Sequence, residues 1–165
     1  MIDPLHRIDV ENIESLIEAH RYFVLHAPRQ TGKTTCLLAL MHHLNQQGHY
    51  RALYVNIEAA QSARSDVQRG MAAIVRALAS AALVYWKDAN AAQQARDVLQ
   101  TQGADDWLRT VLEHWALHSE KPLVLLFDEV DALVGDTLIS LLRQIRAGYA
   151  QRPMAFPQTV VLCGV

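Results

Sequence analysis

Only 2 cysteines occur in the 165 residues, far apart at positions 36 and 163. A disulfide scaffold needs more of them, so both are expected as buried thiols of a chain in a reducing, cytoplasmic setting. Charge of one sign is scarce as well. Fifteen Lys+Arg stand against 17 Asp+Glu, a formal net charge of −2. The chain as a whole therefore lacks the electrostatic footprint of nucleic-acid binding, although a local basic patch stays compatible with DNA contact. No apolar run approaches the ~20 residues of a membrane span, so no membrane is expected, and the start M-I-D-P-L-H-R lacks the apolar core of a signal peptide. The 8 histidines are scattered. His42 and His43, adjacent on a helix, point in different directions and make a poor metal site. No repeat or low-complexity segment is visible. What the chain has is 51% hydrophobic residues, enough for the core of one domain of this length.

Residues 27 to 34 read A-P-R-Q-T-G-K-T, a glycine-poor variant of the phosphate-cradling G-x-x-x-x-G-K-[ST] pattern. It follows the apolar run Y-F-V-L-H and precedes T-C-L-L-A-L-M. A strand that turns straight into a helix aims the free N–H groups of the helix N-terminus at phosphate oxygens. Ala27, Pro28, Arg29, Gln30, Thr31, Gly32, Lys33, Thr34 and Thr35 are the candidate nucleotide-binding residues. Gly32 lets backbone approach a phosphate. Lys33 reaches the β- and γ-phosphates, and Thr34 offers a hydroxyl to Mg²⁺. Thr35 assists at an α-phosphate or simply continues the helix. Ala27 departs from the pattern; a left-handed backbone there would cost roughly 1–2 kcal/mol. Alone, G-K-T can occur by chance at a helix start, and the strand–turn–helix context is what gives it weight.

Residues 122 to 131 read P-L-V-L-L-F-D-E-V-D. Apolar residues running into an acidic pair describe a buried parallel strand with carboxylates at its C-terminal end. The alternative is an acidic turn after a core strand. With the phosphate loop upstream, Asp128 becomes the candidate Mg²⁺ holder beside Thr34, through water. Glu129 is the candidate general base, and Lys33 its catalytic partner. Asp131 either supports the metal shell or starts a turn. A strand-end aspartate followed at once by glutamate favours hydrolysis over phosphoryl transfer to a small acceptor.

Elsewhere, Asp9 caps a short helix bearing Val10, Ile13, Leu16 and Ile17. Strands are expected near 22–27, 51–58 and 159–163, the second by alternation near a sheet edge. A helix should span about 32–47, with Gly48 at its left-handed C-terminal position. Ser65 and Gln68 suggest a capping box for a long helix reaching Trp86. Residues 89 to 96 suggest a solvated helix. Further helices are expected over 105–118, with its tryptophans in the core, and 136–147, with Leu138, Leu141, Leu142 and Ile145 buried and Gly148 as its end. Alternating strands and helices imply α/β architecture, a parallel sheet with helices on both faces and a ligand at the carboxyl ends of the strands.

The segments Y-F-V-L-H-A-P-R-Q-T-G-K-T-T, A-L-Y-V-N-I-E-A-A, the stretch from P-L-V-L-L-F-D-E-V-D to R-A-G-Y, and F-P-Q-T-V-V-L-C-G-V resemble prokaryotic AAA-like ATP-binding proteins over nearly the whole chain. The resemblance implies a three-layer P-loop NTPase core with sheet order 5-1-4-3-2, the acidic strand lying between strands 4 and 2. It implies a domain over 1–165 that is incomplete at its C-terminus, with strand five and the sensor and arginine residues beyond it. It also places Asn56 beside Glu129, as a restraint on that glutamate or as the start of a turn. ATP over GTP follows from the resemblance, and no N-K-x-D guanine motif occurs.

Three functions compete. The first is Mg-ATP hydrolysis by one module of a larger switch or motor-like protein, with a partner or second copy completing the site. The second is a nucleotide-gated interaction module with negligible turnover. The third is a small-molecule kinase, for which no acceptor site is recognisable. Arg143 and Arg146 sit where a neighbouring subunit's nucleotide is reachable in principle, although surface solvation explains them better.

Overall fold

A computed structural model describes residues 9–26 and 32–164. Helix α1 covers Val10–Glu18 and strand β1 covers Phe23–His26. The Asp9 carboxylate caps α1 by accepting from the Asn12 N–H at 3.1 Å. Helix α2, Lys33–Gln47, leads to β2, Arg51–Asn56. Helix α3, Val67–Ala81, runs on into a π-turn, Ala82–Trp86, and is followed by α4, Ala89–Val98, and α5, Ala104–Leu117. Strand β3, Leu123–Asp128, precedes α6, Gly135–Ala147, and β4, Thr159–Gly164, closes the order.

All pairings are parallel, and the sheet runs β1-β4-β3-β2. The acidic strand therefore sits between β4 and β2, as the resemblance implies. Each strand needs a crossover to the next, which puts helices on both faces. On one face α1 and α2 pack Ile13, Ile17, Leu37, Leu40 and Leu44 against Tyr54, Val124 and Leu126. On the other, α3 and α5 pack Met71, Ile74, Leu78, Leu108 and Leu112 against Leu53, Leu125 and Phe127. With both faces covered, β3 is buried at every position from Leu123 to Asp128.

Several expectations need correcting. Strand β2 does lie at an edge, but its alternation does not mark a solvated face: Ala52, Leu53, Tyr54 and Val55 are all buried because helices cover both sides. The cap of α3 is Asp66, whose carboxylate accepts from the Arg69 N–H at 3.1 Å, in place of the Ser65–Gln68 box. Helix α4 is not wholly solvated, since Ala91, Ala92 and Ala95 are buried. In α6 Leu142 is exposed, and the buried side is partly polar, with Thr137, Ser140 and Gln144 beside Leu141 and Ile145. One helical stretch, Val67–Trp86, is after all long and apolar enough to cross a membrane by length and composition. Half of its most apolar window is buried, and its stripe of Met71, Ile74, Val75 and Leu78 belongs to the protein core, which explains that composition. Trp107 and Trp115 are core residues as expected.

The two sheet edges differ. At β2 the Asn45 side chain imitates a strand partner: its Oδ1 accepts from the Ala52 N–H at 2.8 Å and its Nδ2 donates to the Ala52 carbonyl at 3.1 Å. The Trp86 indole N–H donates to the same carbonyl at 2.9 Å. At β1, among the described residues, only β4 pairs with the strand, and Val24 is 56% exposed. A groove lined by Tyr22, Val24, Leu142, Ile145, Arg146 and Tyr149 runs alongside it.

Candidate nucleotide site

Two segments about 95 residues apart meet at the carboxyl end of the sheet. Gly32 is the N-cap residue of α2, at φ 77°, with no side-chain cap. A β-carbon is disfavoured at that φ, so glycine places Lys33 and Thr34 at the first turn of α2. Asp128 is the last residue of β3 and is completely buried. Glu129 follows at φ 63°, a left-handed conformation that is sparsely populated by residues other than glycine. The chain thus turns sharply at the acid pair and leaves both carboxylates beside the start of α2.

The contacts are direct. Lys33 Nζ lies 3.1 Å from Asp128 Oδ1 and 3.2 Å from Glu129 Oε1. The Thr34 hydroxyl donates to Asp128 Oδ2 at 3.0 Å. The Glu129 N–H donates to Asp128 Oδ1 at 2.9 Å. Burial alone would lower the Lys33 pKa, but its hydrogen bonds and charge attraction to the two carboxylates outweigh that and hold it above the ordinary lysine value. The arrangement is a positive helix start, a hydroxyl and an acid pair within one small volume, and such a cluster suits a phosphate-bound cation.

Of the residues singled out by sequence, Gly32, Lys33, Thr34, Asp128 and Glu129 are brought together. Thr35 is exposed on the first turn of α2. Ala27, Pro28, Arg29, Gln30 and Thr31 lie outside the described residues. Asn56 is in register with Asp128, but its Oδ1 accepts from the Glu58 N–H at 2.9 Å, closing the turn after β2. Asp131 sits in a short 3-10 turn, Val130–Ala132, its carboxylate against Gly164. Arg143 binds the Asp105 carbonyl at 3.0 Å, tying α6 to α5, and Arg146 lines the groove beside β1. Buried Cys163 has its thiol pushed up to about 11, first by burial and then by the nearby Asp128 charge.

Sequence reasoning missed Tyr54. Its hydroxyl donates to Asp128 Oδ2 at 2.7 Å, the same oxygen that the Thr34 hydroxyl reaches. Burial first, and then Asp128, raise its pKa. It lies in a strand between apolar neighbours, where an aromatic residue signals only core, so nothing in the local pattern marks it.

Residues 8–155 match the family model described as AAA ATPase domain. No curated protein matches the chain in sequence. Among solved structures, a chain of Drosophila ORC bound to poly(dA/dT) DNA and Cdc6 is similar, with TM-score 0.58 and 15% identity over 99% of this chain. Another, from Drosophila ORC bound to GC-rich DNA and Cdc6, gives TM-score 0.55 and 14% identity over 94%. The chain spans about a quarter of the length of these neighbours, 25% and 24%, and at such identity they share its fold. The family match covers most of the sequence, and the chain belongs to the AAA ATPase domain family.

Proposed function

We propose that the chain binds Mg-ATP and hydrolyses it to ADP and phosphate, as the ATPase module of a larger switch or motor-like protein. The observation that carries this reading is the convergence of Lys33 and Thr34 on Asp128 and Glu129 within 3.0–3.2 Å. Lys33 binds the β- and γ-phosphates in place of the acid pair, and the nucleotide lies along residues 27–35. Among the described residues no group of three or more His, Cys, Asp or Glu side chains is placed to hold a metal unaided. The Thr34 hydroxyl and the buried Asp128 carboxylate are hard oxygen donors that suit Mg²⁺ and would hold it, Asp128 through water. When bound, Mg²⁺ neutralises charge on the phosphate oxygens. Glu129 orients a water and takes its proton. The new bond forms at the γ-phosphorus while the bond to the β–γ bridging oxygen breaks, and ADP leaves with that electron pair.

A protein partner or second copy completes the site, and nucleic-acid contact stays unsupported by a net charge of −2. Both solved neighbours come from complexes with DNA and Cdc6, which supports assembly with other proteins in general terms. A cytoplasmic location fits this role. An arginine supplied from outside accelerates such sites by roughly 10³–10⁵, so the chain alone should turn over slowly. One observation favours a second reading, a nucleotide-gated interaction module: one oxygen of the Glu129 carboxylate is paired with Lys33.

The test is thermal unfolding with Mg-ATP for the wild type and Lys33→Ala. Nucleotide at ~1,000 times its dissociation constant should stabilise the wild type by about 4 kcal/mol and Lys33→Ala much less. Equal shifts in both proteins overturn the assignment.

A further inference from the structure

The Asp128 carboxylate has four donors around it. Oδ1 has the Glu129 N–H at 2.9 Å and Lys33 Nζ at 3.1 Å; Oδ2 has the Thr34 hydroxyl at 3.0 Å and the Tyr54 hydroxyl at 2.7 Å. An ionised carboxylate offers about four lone-pair sites, so this one is saturated. Two of the four donors, Lys33 and Thr34, are the groups that phosphate and cation would claim. When they turn outward, one backbone N–H remains on Oδ1 and one side-chain donor, Tyr54, remains on Oδ2.

Tyr54 is built to stay. Its own N–H donates to Met41 Sδ at 3.2 Å, and its ring is 5% exposed and meets Tyr85 edge-on, with centroids 6.2 Å apart. Tyr54 pairs with Leu126, and Asn56 with Asp128, across β2 and β3. The period of two in a strand sets Tyr54, Leu126 and Asp128 on the same face of the sheet. We infer that Tyr54 is a positioning residue for the cation-facing carboxylate, holding Oδ2 in place once the Thr34 hydroxyl leaves it. This rests on the Mg-nucleotide reading. The tyrosine acts through Asp128. A purely space-filling role would be served equally well by phenylalanine.

The experiment is calorimetric titration with ATP, in Mg²⁺ and in EDTA, for the wild type, Tyr54→Phe and Tyr85→Phe. The Mg²⁺-dependent gain in affinity should shrink roughly tenfold in Tyr54→Phe, with affinity in EDTA changed less than about twofold, while Tyr85→Phe keeps the full gain. A Tyr54→Phe protein with the wild-type gain overturns the inference, and so does one that loses affinity equally in both buffers. A wild type that binds no ATP defeats the nucleotide reading itself, visibly and before any substitution, and the inference falls with it. If Tyr54→Phe does not fold, the wild type answers by NMR. The Tyr54 hydroxyl proton should exchange slowly and persist when Mg-ATP is added, and its loss on loading overturns the inference.

Discussion

Lys33 Nζ stands 3.2 Å from Glu129 Oε1, so the residue proposed to activate water is neutralised by the residue proposed to bind phosphate. Under the proposed function, nucleotide phosphates would compete for that lysine and release the carboxylate as the substrate binds. Glu129 also adopts a left-handed backbone at φ 63°, and such conformations concentrate at functional sites.

The first prediction concerns this pair. Glu129→Gln keeps the shape and a contact to Lys33 but removes the base. Affinity for Mg-ATP should stay within a few-fold of wild type while phosphate release falls by roughly 10²-fold or more. The measurement is single-turnover hydrolysis alongside nucleotide titration, made with the partner or longer protein if the chain alone is too slow. Unchanged turnover removes Glu129 from the chemistry. A wild type with no turnover in any context favours the gated-module reading.

A second prediction lies at the β1 edge. Among the described residues only β4 pairs with β1, Val24 is 56% exposed, and the adjoining groove is largely apolar. Open strand edges with apolar side chains associate. Analytical ultracentrifugation should show mass rising with concentration for the wild type and a monomer for Val24→Lys. A wild type that stays monomeric across the accessible range defeats this expectation.

The third prediction concerns the other edge. Asn45→Leu fills similar space but leaves the Ala52 N–H without its acceptor, while the Ala52 carbonyl keeps the Trp86 indole. An orphaned buried donor costs about 1–3 kcal/mol. Urea unfolding should show a lower midpoint with an unchanged slope. An unaltered midpoint means that water satisfies the N–H and the asparagine is dispensable.

Much of this was legible in the sequence, for identifiable reasons. The acid pair and the G-K-T turn are visible because each sits where an apolar run ends, and it is their occurrence together in a strand–turn–helix context that sets them apart from ordinary polar turns. Gly48 was placed correctly because a left-handed C-terminus selects glycine, and it has φ 81°. The α3 cap differs because the adjacent Ser65 and Asp66 are both good N-cap residue types, and only geometry shows that Asp66 is the one used. Leu142 was expected inside, but α6 turns Gln144 inward instead, where its amide donates to Ser140 Oγ at 2.9 Å and the Ala104 carbonyl at 3.2 Å. Periodicity counts apolar residues and cannot foresee a buried amide that finds partners on another helix. Tyr54 stayed hidden for the related reason that a hydroxyl at the rim of a core looks like core until its acceptor is known.

A fourth prediction uses pH. His114 Nε2 is buried without a hydrogen-bond partner. Burial, and secondarily the His118 ring stacked 4.2 Å away, hold the His114 pKa below the ordinary value of 6.5. The unfolded chain therefore takes up this proton at higher pH than the folded one. No penalty exists well above pH 6.5, and stability falls as pH drops from 6.5 toward the depressed folded value. The melting temperature of the wild type should fall relative to that of His114→Leu as pH is lowered from about 7 to about 5. Parallel curves for the two proteins rule out His114 as the source.

The last prediction tests how α6 is joined to β4, the strand beside the acid pair. Gly148 follows α6 at φ −97°, a backbone open to any residue, so glycine is not there for its freedom. A β-carbon would lie 2.1 Å from Phe156 Cδ1, and Phe156 is fully buried. Gly148→Ala must displace either a core ring or the end of the helix. Overpacking of this kind costs about 1–3 kcal/mol, sometimes more, and each kcal/mol lowers the melting temperature by roughly 2–4 °C at this chain length. Phe156→Ala removes all three ring carbons in the way, Cγ, Cδ1 and Cε1, so the double substitution should be less destabilised than the sum of the two singles. Additive losses, or a Gly148→Ala protein that melts with the wild type, mean that the helix end and the ring are not in close contact.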